Sequence, residues 1–271
     1  MSYPPEHHFL RDLRIETVQL SEGTGRCAAP LTDHLRGRDG SAGLGAIVTI
    51  VDIAGSAGAV RAVSPGWSAT LDLSVTMFAP LIVGPIVADA TLLRAGKKVV
   101  VLGVDVFDGN GGEDSSAMRK VGRATVAFSR LPASASVIQH DRRRQFGPRG
   151  SMARPDSALT APVLEQVGIR RIEGPVGTVE LPKTEYVRNS LGTINGGIHG
   201  MIYQAAAESI VDDLTPCDIQ IHYLAQAQVG PARTHVVMAS RRGDHAVCEI
   251  HAVDVGDESR LISLATVVCT G

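Results

Sequence analysis

A carboxylate inside an apolar helix is the first residue whose chemistry needs explaining. Asp52 stands in the stretch IVTIVDIAGSAG, residues 47–58, with no other charge beside it. A buried charge is costly unless it finds a partner or faces a cavity or an interface. A second feature is the run Asn189-Ser190-Leu191-Gly192-Thr193-Ile194-Asn195-Gly196-Gly197, which leads into another apolar stretch. The first amides of a helix lack intrahelical acceptors and sit at the positive end of its dipole, so they can stabilise a negative oxygen. Each feature also has a plainer reading. Asp52 could be structural, bonded to a neighbouring amide; Gly196-Gly197 could be only a tight turn; Asn189 could be a loop or capping residue.

Other reactive side chains do not group. Cys27, Cys217, Cys248 and Cys269 form no C-x-x-C pair and show no metal-ligand spacing, as expected of buried, reduced thiols. His7, His8, His34 and His140 lie in polar segments, while His222 and His251 alternate within strands and read as structural. Net charge is −2, which gives no field to draw nucleic acid or an anionic membrane. The first residues, MSYPPEHHFLRDL, are polar, and no stretch is read as a membrane span of roughly 20 apolar residues. A soluble, cytoplasmic protein is expected.

The elements that must position these residues come in two copies. At an offset of 152, Gly25 falls on Gly177, Pro30 on Pro182, Gly40 on Gly192, Gly45 on Gly197 and Ala54 on Ala206. After a six-residue deletion the offset is 146, pairing Asp72 with Asp218, Ala79 with Ala225, Gly84-Pro85 with Gly230-Pro231 and Asp108 with Asp254. Near the ends, Ala124-Thr125-Val126 falls on Ala265-Thr266-Val267 at 141. Matches that keep their order over a whole domain indicate duplication. The domains are therefore placed at residues 1–131 and 162–271, with 132–161 as a linker rich in Pro, Gly, Ser and Arg. Its Arg142, Arg143 and Arg144 read as a solvated face, with contact to a phosphate as the alternative.

Each copy predicts a short helix, two strands, a glycine-marked loop, one long apolar helix and four further strands. The first long helix runs from Gly45 to about Val63 and the second from Gly197 to about Asp212. The first is apolar nearly all round, as a buried helix is. The fold class is α+β: two tandem domains, each a buried central helix wrapped by a curved antiparallel sheet.

The run Asn189 to Gly197 resembles the N-x-x-G-x-x-H-G-G pattern of hotdog-fold acyl-CoA thioesterases of the PaaI-like type, with Asn195 at the family's His position. That family carries an acid nine residues after the His position. Gly43-Leu44-Gly45 occupies the same place in the first copy, and nine residues on stands Asp52. The family also often has a Ser or Thr eighteen residues after the acid, and here Thr70 opens Thr70-Leu71-Asp72. The resemblance implies a site shared between two hotdogs, the glycine turn from one and the acid from the other. Asn189, Asn195, Gly196 and Gly197 would then join Asp52 and Thr70 in one site. The reciprocal site would hold Gly37 and Gly43 with Gln204, and it lacks the Asn, the acid and the hydroxyl. A rival frame, His199-Gly200 with Glu208 nine residues on, would make Glu208 the second site's acid and place His199 and Glu208 at the substrate.

The implied activity is hydrolysis of an acyl-CoA-type thioester in a hotdog pseudo-dimer. The Gly196 amide would hold the oxyanion, Asn189 would place the thioester, and Asp52 would act as base or nucleophile. No metal and no cofactor are expected, CoA entering only as part of the substrate, and the chains would form a homo-oligomer. A non-catalytic acyl-CoA-binding protein is the alternative. A hotdog dehydratase is a lesser one, since no G-D-x-N-P-x-H segment occurs.

Overall fold

A computed structural model describes residues 3–112, 117–132 and 149–271. The arginine cluster at 142–144 and His140 lie outside these residues. Two long helices carry the interior: α2 (Leu44–Val63) in the first half and α4 (Gly196–Ile210) in the second. The short α1 (Phe9–Asp12) and α3 (Val163–Gln166) precede them. Fifteen of the twenty residues of α2 are buried, and the other five, around its C-terminal half, are half-buried. By length and mean hydropathy, 1.6, α2 would pass for a membrane span, which corrects the reading that no such stretch exists. It is instead the core of the first half, packed against the sheet and α4.

In the first half, β1 (Glu16–Gln19), β2 (Thr24–Ala29), β3 (Trp67–Met77), β4 (Ile86–Ala95), β5 (Val99–Asp108) and β6 (Arg119–Leu131) pair antiparallel around α2. The second half repeats the plan with β8 (Arg170–Arg171), β9 (Val179–Leu181), β10 (Thr215–Tyr223), β11 (Ala232–Arg242), β12 (His245–Asp254) and β13 (Arg260–Thr270) around α4. With β7 (Arg149–Ser151) at one edge, the strands form one 13-stranded sheet in the order β7-β1-β2-β4-β5-β6-β3-β10-β13-β12-β11-β9-β8. β3 and β10 join the halves, His222 opposite Asp72 and Asp218 opposite Thr76. This pairing covers two edges that would otherwise offer unpaired backbone groups. Side chains reinforce it: Thr76 Oγ1 donates to Asp218 Oδ2 at 2.6 Å, and His222 pairs with Asp72.

Part of the expected linker is structured. β7 (Arg149–Ser151) adds an outer strand to β1, and Met152 behind it is buried. The repeat's punctuation also acquires a cause. Gly84 and Gly230 have φ of +80° and +82°, a region open to glycine at little cost. The turns they make are held by buried acids: Asp108 accepts from the Ile82, Val83, Gly84 and Asn110 amides, and Asp254 from Gln228, Val229 and Gly230. Burial alone would raise both carboxyl pKa values; these amides outweigh it and hold them below the usual range.

The two long helices cross closely enough to exclude side chains. A Cβ on Gly45 would lie 2.6 Å from Met201 Cα, and one on Gly197 would lie 2.5 Å from Thr49 Cα. These are the same contact seen from each half, since 45 pairs with 197 and 49 with 201 at the 152 offset. This crossing brings the middle of α2 to the start of α4.

Candidate active site

Asp52 lies midway along α2 and is 3% exposed. Thr70, on β3, donates its hydroxyl to Asp52 Oδ1 at 2.8 Å. Burial raises the Asp52 pKa, and the Thr70 hydroxyl and Gly197 amide offset this only in part, leaving it at about 6. The group is therefore ionised in most molecules at neutral pH and still basic enough to accept a proton from water as that water attacks.

The second half supplies the donors. Asn195 is the N-cap of α4, and its Oδ1 accepts from the Gly197 amide at 2.9 Å. Among the hydrogen bonds of the described residues, none uses the Gly196 N–H. A Cβ on Gly196 would lie 2.8 Å from Asp52 Oδ2, so the acid of one half touches the helix start of the other. A carbonyl oxygen received there would meet a free amide and the positive end of α4.

The remaining expected residues take more varied places. Asn189 lines the cavity, but its Oδ1 accepts from the Leu191 amide at 2.9 Å and from Thr193 at 3.3 Å. Its oxygen shapes the loop that delivers Asn195 and Gly196. His199 also lines the cavity; its Nδ1 bonds Ser263 Oγ at 2.8 Å, and burial drives its pKa down to about 4, so it is neutral. Glu208 lies away from the cavity walls. It takes a 2.8 Å hydrogen bond from Gln204 Nε2 and stands 3.8 Å from Arg38. Gln204 itself accepts from the Gly45 amide at 2.7 Å, the place the acid would hold in a reciprocal site. Gln204, rather than Glu208, is thus the side chain that bonds the first copy's Gly43–Gly45 turn.

Two tyrosines at this site were not foreseen. Tyr223 donates its hydroxyl to the Gly196 carbonyl at 2.8 Å and packs edge-on against His199. Its counterpart at the 146 offset is Met77, and that polar-for-apolar difference at the end of β10 was the available signal. Tyr3 hydrogen-bonds the Asn195 side chain and lines the same cavity. Nothing in the polar N-terminal sequence points to it. The cavity encloses about 340 Å³, with Asp52, Thr70 and Gly196 on one side. Leu10, Val60, Trp67, Phe128 and Met152 make an apolar wall. Among the described residues, no three His, Cys, Asp or Glu side chains gather as metal ligands.

One long helix laid against a curved antiparallel sheet is the architecture of the hotdog fold. Residues 44–115, which include Asp52 and Thr70, match the family model of the Thioesterase superfamily. A protein of Thermoplasma acidophilum named a putative esterase is 28% identical over 110 residues, 41% of this chain and 83% of its own. A hot dog fold protein from Alicyclobacillus acidocaldarius superposes with a TM-score of 0.56 at 10% identity, covering 97% of each chain. A 12:0-ACP thioesterase from Umbellularia californica superposes with a TM-score of 0.57 at 12% identity, over 91% of this chain and 93% of that one. At such identities the superpositions establish the fold.

Proposed function

We propose that the protein hydrolyses an acyl-CoA-type thioester at a single site between its two hotdog units, which stand in for the two subunits of a dimer. The observation that carries this reading is the contact of a buried, high-pKa Asp52 from one unit with the Gly196 helix start of the other. The thioester carbonyl points its oxygen at the Gly196 N–H. Asp52 takes a proton from a water held in the cavity, and the hydroxide oxygen bonds to the carbonyl carbon. The negative charge that develops on the carbonyl oxygen is held by the amide and the α4 dipole. Collapse breaks the C–S bond, and the thiolate leaves with the proton that Asp52 accepted. Thr70 fixes the carboxylate rotamer and favours its charged form. Tyr223 anchors the Gly196 peptide through its carbonyl. The apolar wall takes the acyl group, and the thiol portion leaves along the seam between the units.

The test is turnover of a panel of acyl-CoA thioesters, followed by release of free thiol. Hydrolysis by the wild type that disappears in Asp52→Asn supports the proposal. Failure to turn over any thioester, with acyl-CoA still bound, would overturn it in favour of a binding protein.

A further inference from the structure

A second cavity, of about 430 Å³, lies on the first half's side of the helix crossing. Its walls are the counterparts of those around Asp52. At the 152 offset, Ile194, Gly196 and His199 become Ala42, Leu44 and Ile47. At the 146 offset, Tyr223, Leu224 and Thr70 become Met77, Phe78 and Pro216. The same loop, helix and strands that build the first cavity therefore build this one. Duplication preserved its shape and removed its chemistry.

The exchanges run in one direction. The Thr70 hydroxyl that positions Asp52 becomes a proline, the neutral histidine an isoleucine, and the anchoring tyrosine a methionine. Leu44, Ile47 and Leu81 form a buried apolar floor, while Phe78, 61% exposed, stands at the mouth. An exposed aromatic beside an apolar hollow is unfavourable in water and gains on being covered. Ser41, Thr215 and Thr270 bring hydroxyls to its walls, and the charged side chain there is the exposed Asp39, whose carboxylate accepts from the Ser41 amide and hydroxyl. A negative group there disfavours an anionic head, such as a free carboxylate, and leaves an uncharged chain as the ligand that fits.

We infer that this second cavity is a binding site for an uncharged alkyl or acyl chain, which it holds without turning over. The inference does not depend on thioester hydrolysis at Asp52, because it rests on which residues line the two cavities.

Cys217 provides a local reporter. It lines this cavity and is half-buried, whereas Cys27, Cys248 and Cys269 are buried. The experiment measures the rate of Cys217 alkylation by N-ethylmaleimide, read by peptide mass, with and without decan-1-ol as the probe. At a probe concentration ten times its Kd, occupancy slows the reaction about tenfold. Ala79→Trp, which fills the cavity, and Phe78→Asp, which places a charge at an exposed position of its mouth, should each abolish the slowing. Asp52→Asn should leave it intact while removing turnover. Ala225→Trp, the counterpart of Ala79→Trp in the other cavity, should also leave it intact. An unprotected Cys217 in the wild type overturns the inference. So does protection that survives both Ala79→Trp and Phe78→Asp, or that is lost only in Ala225→Trp.

Discussion

The two ends of the helix crossing are built from the same parts and differ in a handful of side chains. At one end the α2 acid Asp52 meets the Gly196 helix start, with Thr70 and Tyr223 on either side. At the other, Gln204 meets the Gly45 amide, with Pro216 and Met77 in the flanking positions. Gln204 is a neutral copy of the acid's geometry: its oxygen accepts an amide hydrogen bond, and its nitrogen satisfies Glu208. The comparison teaches that the crossing keeps a hydrogen-bonding side chain at this place in both halves, and a charged one in only one of them. A buried amide with both partners satisfied is inexpensive, and a buried carboxylate is not.

The sharpest way to break this contrast is Asp52→Asn, which gives the first site the character of the second. We expect kcat to fall by roughly 100-fold or more, the scale of lost acid–base assistance. Stability should move the other way. The folded-state pKa of Asp52 is raised, so its contribution to stability is present at low pH and is lost as pH rises from about 4 through about 6. Removing the charge should therefore raise the unfolding free energy at pH 8 by up to about 3 kcal/mol, with little change at pH 4. Urea unfolding at the two pH values reads this directly. A kcat at the wild-type level would remove Asp52 from the mechanism.

Gly196→Ala tests whether the two halves must touch at that point. Its Cβ would lie 2.8 Å from Asp52 Oδ2, so the helix start or the carboxylate has to shift. A displacement of this kind lowers kcat by about 10- to 100-fold, since catalytic groups tolerate errors of well under an ångström. Leu44, at the equivalent position of the other site, shows that a side chain there is compatible with the fold.

Thr70→Val separates the hydroxyl's electrostatic role from simple packing. Thr70 donates to the charged form of Asp52, so its loss should raise the carboxyl pKa further. The rising limb of kcat/KM, placed near pH 6 in the wild type, should then move to higher pH. Activity at high pH should largely recover, and a limb that stays in place would make Thr70 a packing residue. Gln204→Ala should have the smallest kinetic effect, with turnover within about twofold of wild type, because its site lacks the remaining groups. Any cost should appear in stability, as the Gly45 amide and Glu208 lose a buried partner.

Much of this plan was legible in the chain. The repeat offsets placed Gly45 against Gly197 and Asp52 against Gln204, and the structure uses both equivalences in its helix crossing. The apolar character of α2 marked it as buried, and its lone acid stood out by its chemistry. The matched pairs Gly84-Pro85 and Gly230-Pro231 fall at equivalent turns of the two halves. The strand at Arg149–Ser151 was read as linker because three residues with no periodicity carry no signal; pairing with β1 makes it a strand.

What the sequence determined by itself was the local and the periodic: which segments bury a face, where the chain turns, and that one copy holds an acid where the other holds an amide. These follow from side-chain chemistry and from spacing along one chain. Only the tertiary structure decided between partners far apart in sequence. It placed Gln204 rather than Glu208 at the Gly45 turn, and turned the Asn189 oxygen into its own loop. It brought Tyr223 behind the Gly196 peptide and Tyr3 onto Asn195. Such choices depend on the angle and closeness of the α2–α4 crossing and on the β3–β10 register, which arise from packing both halves at once. The pKa of Asp52 belongs with them, because it is set by how completely the neighbouring unit removes water from the carboxylate.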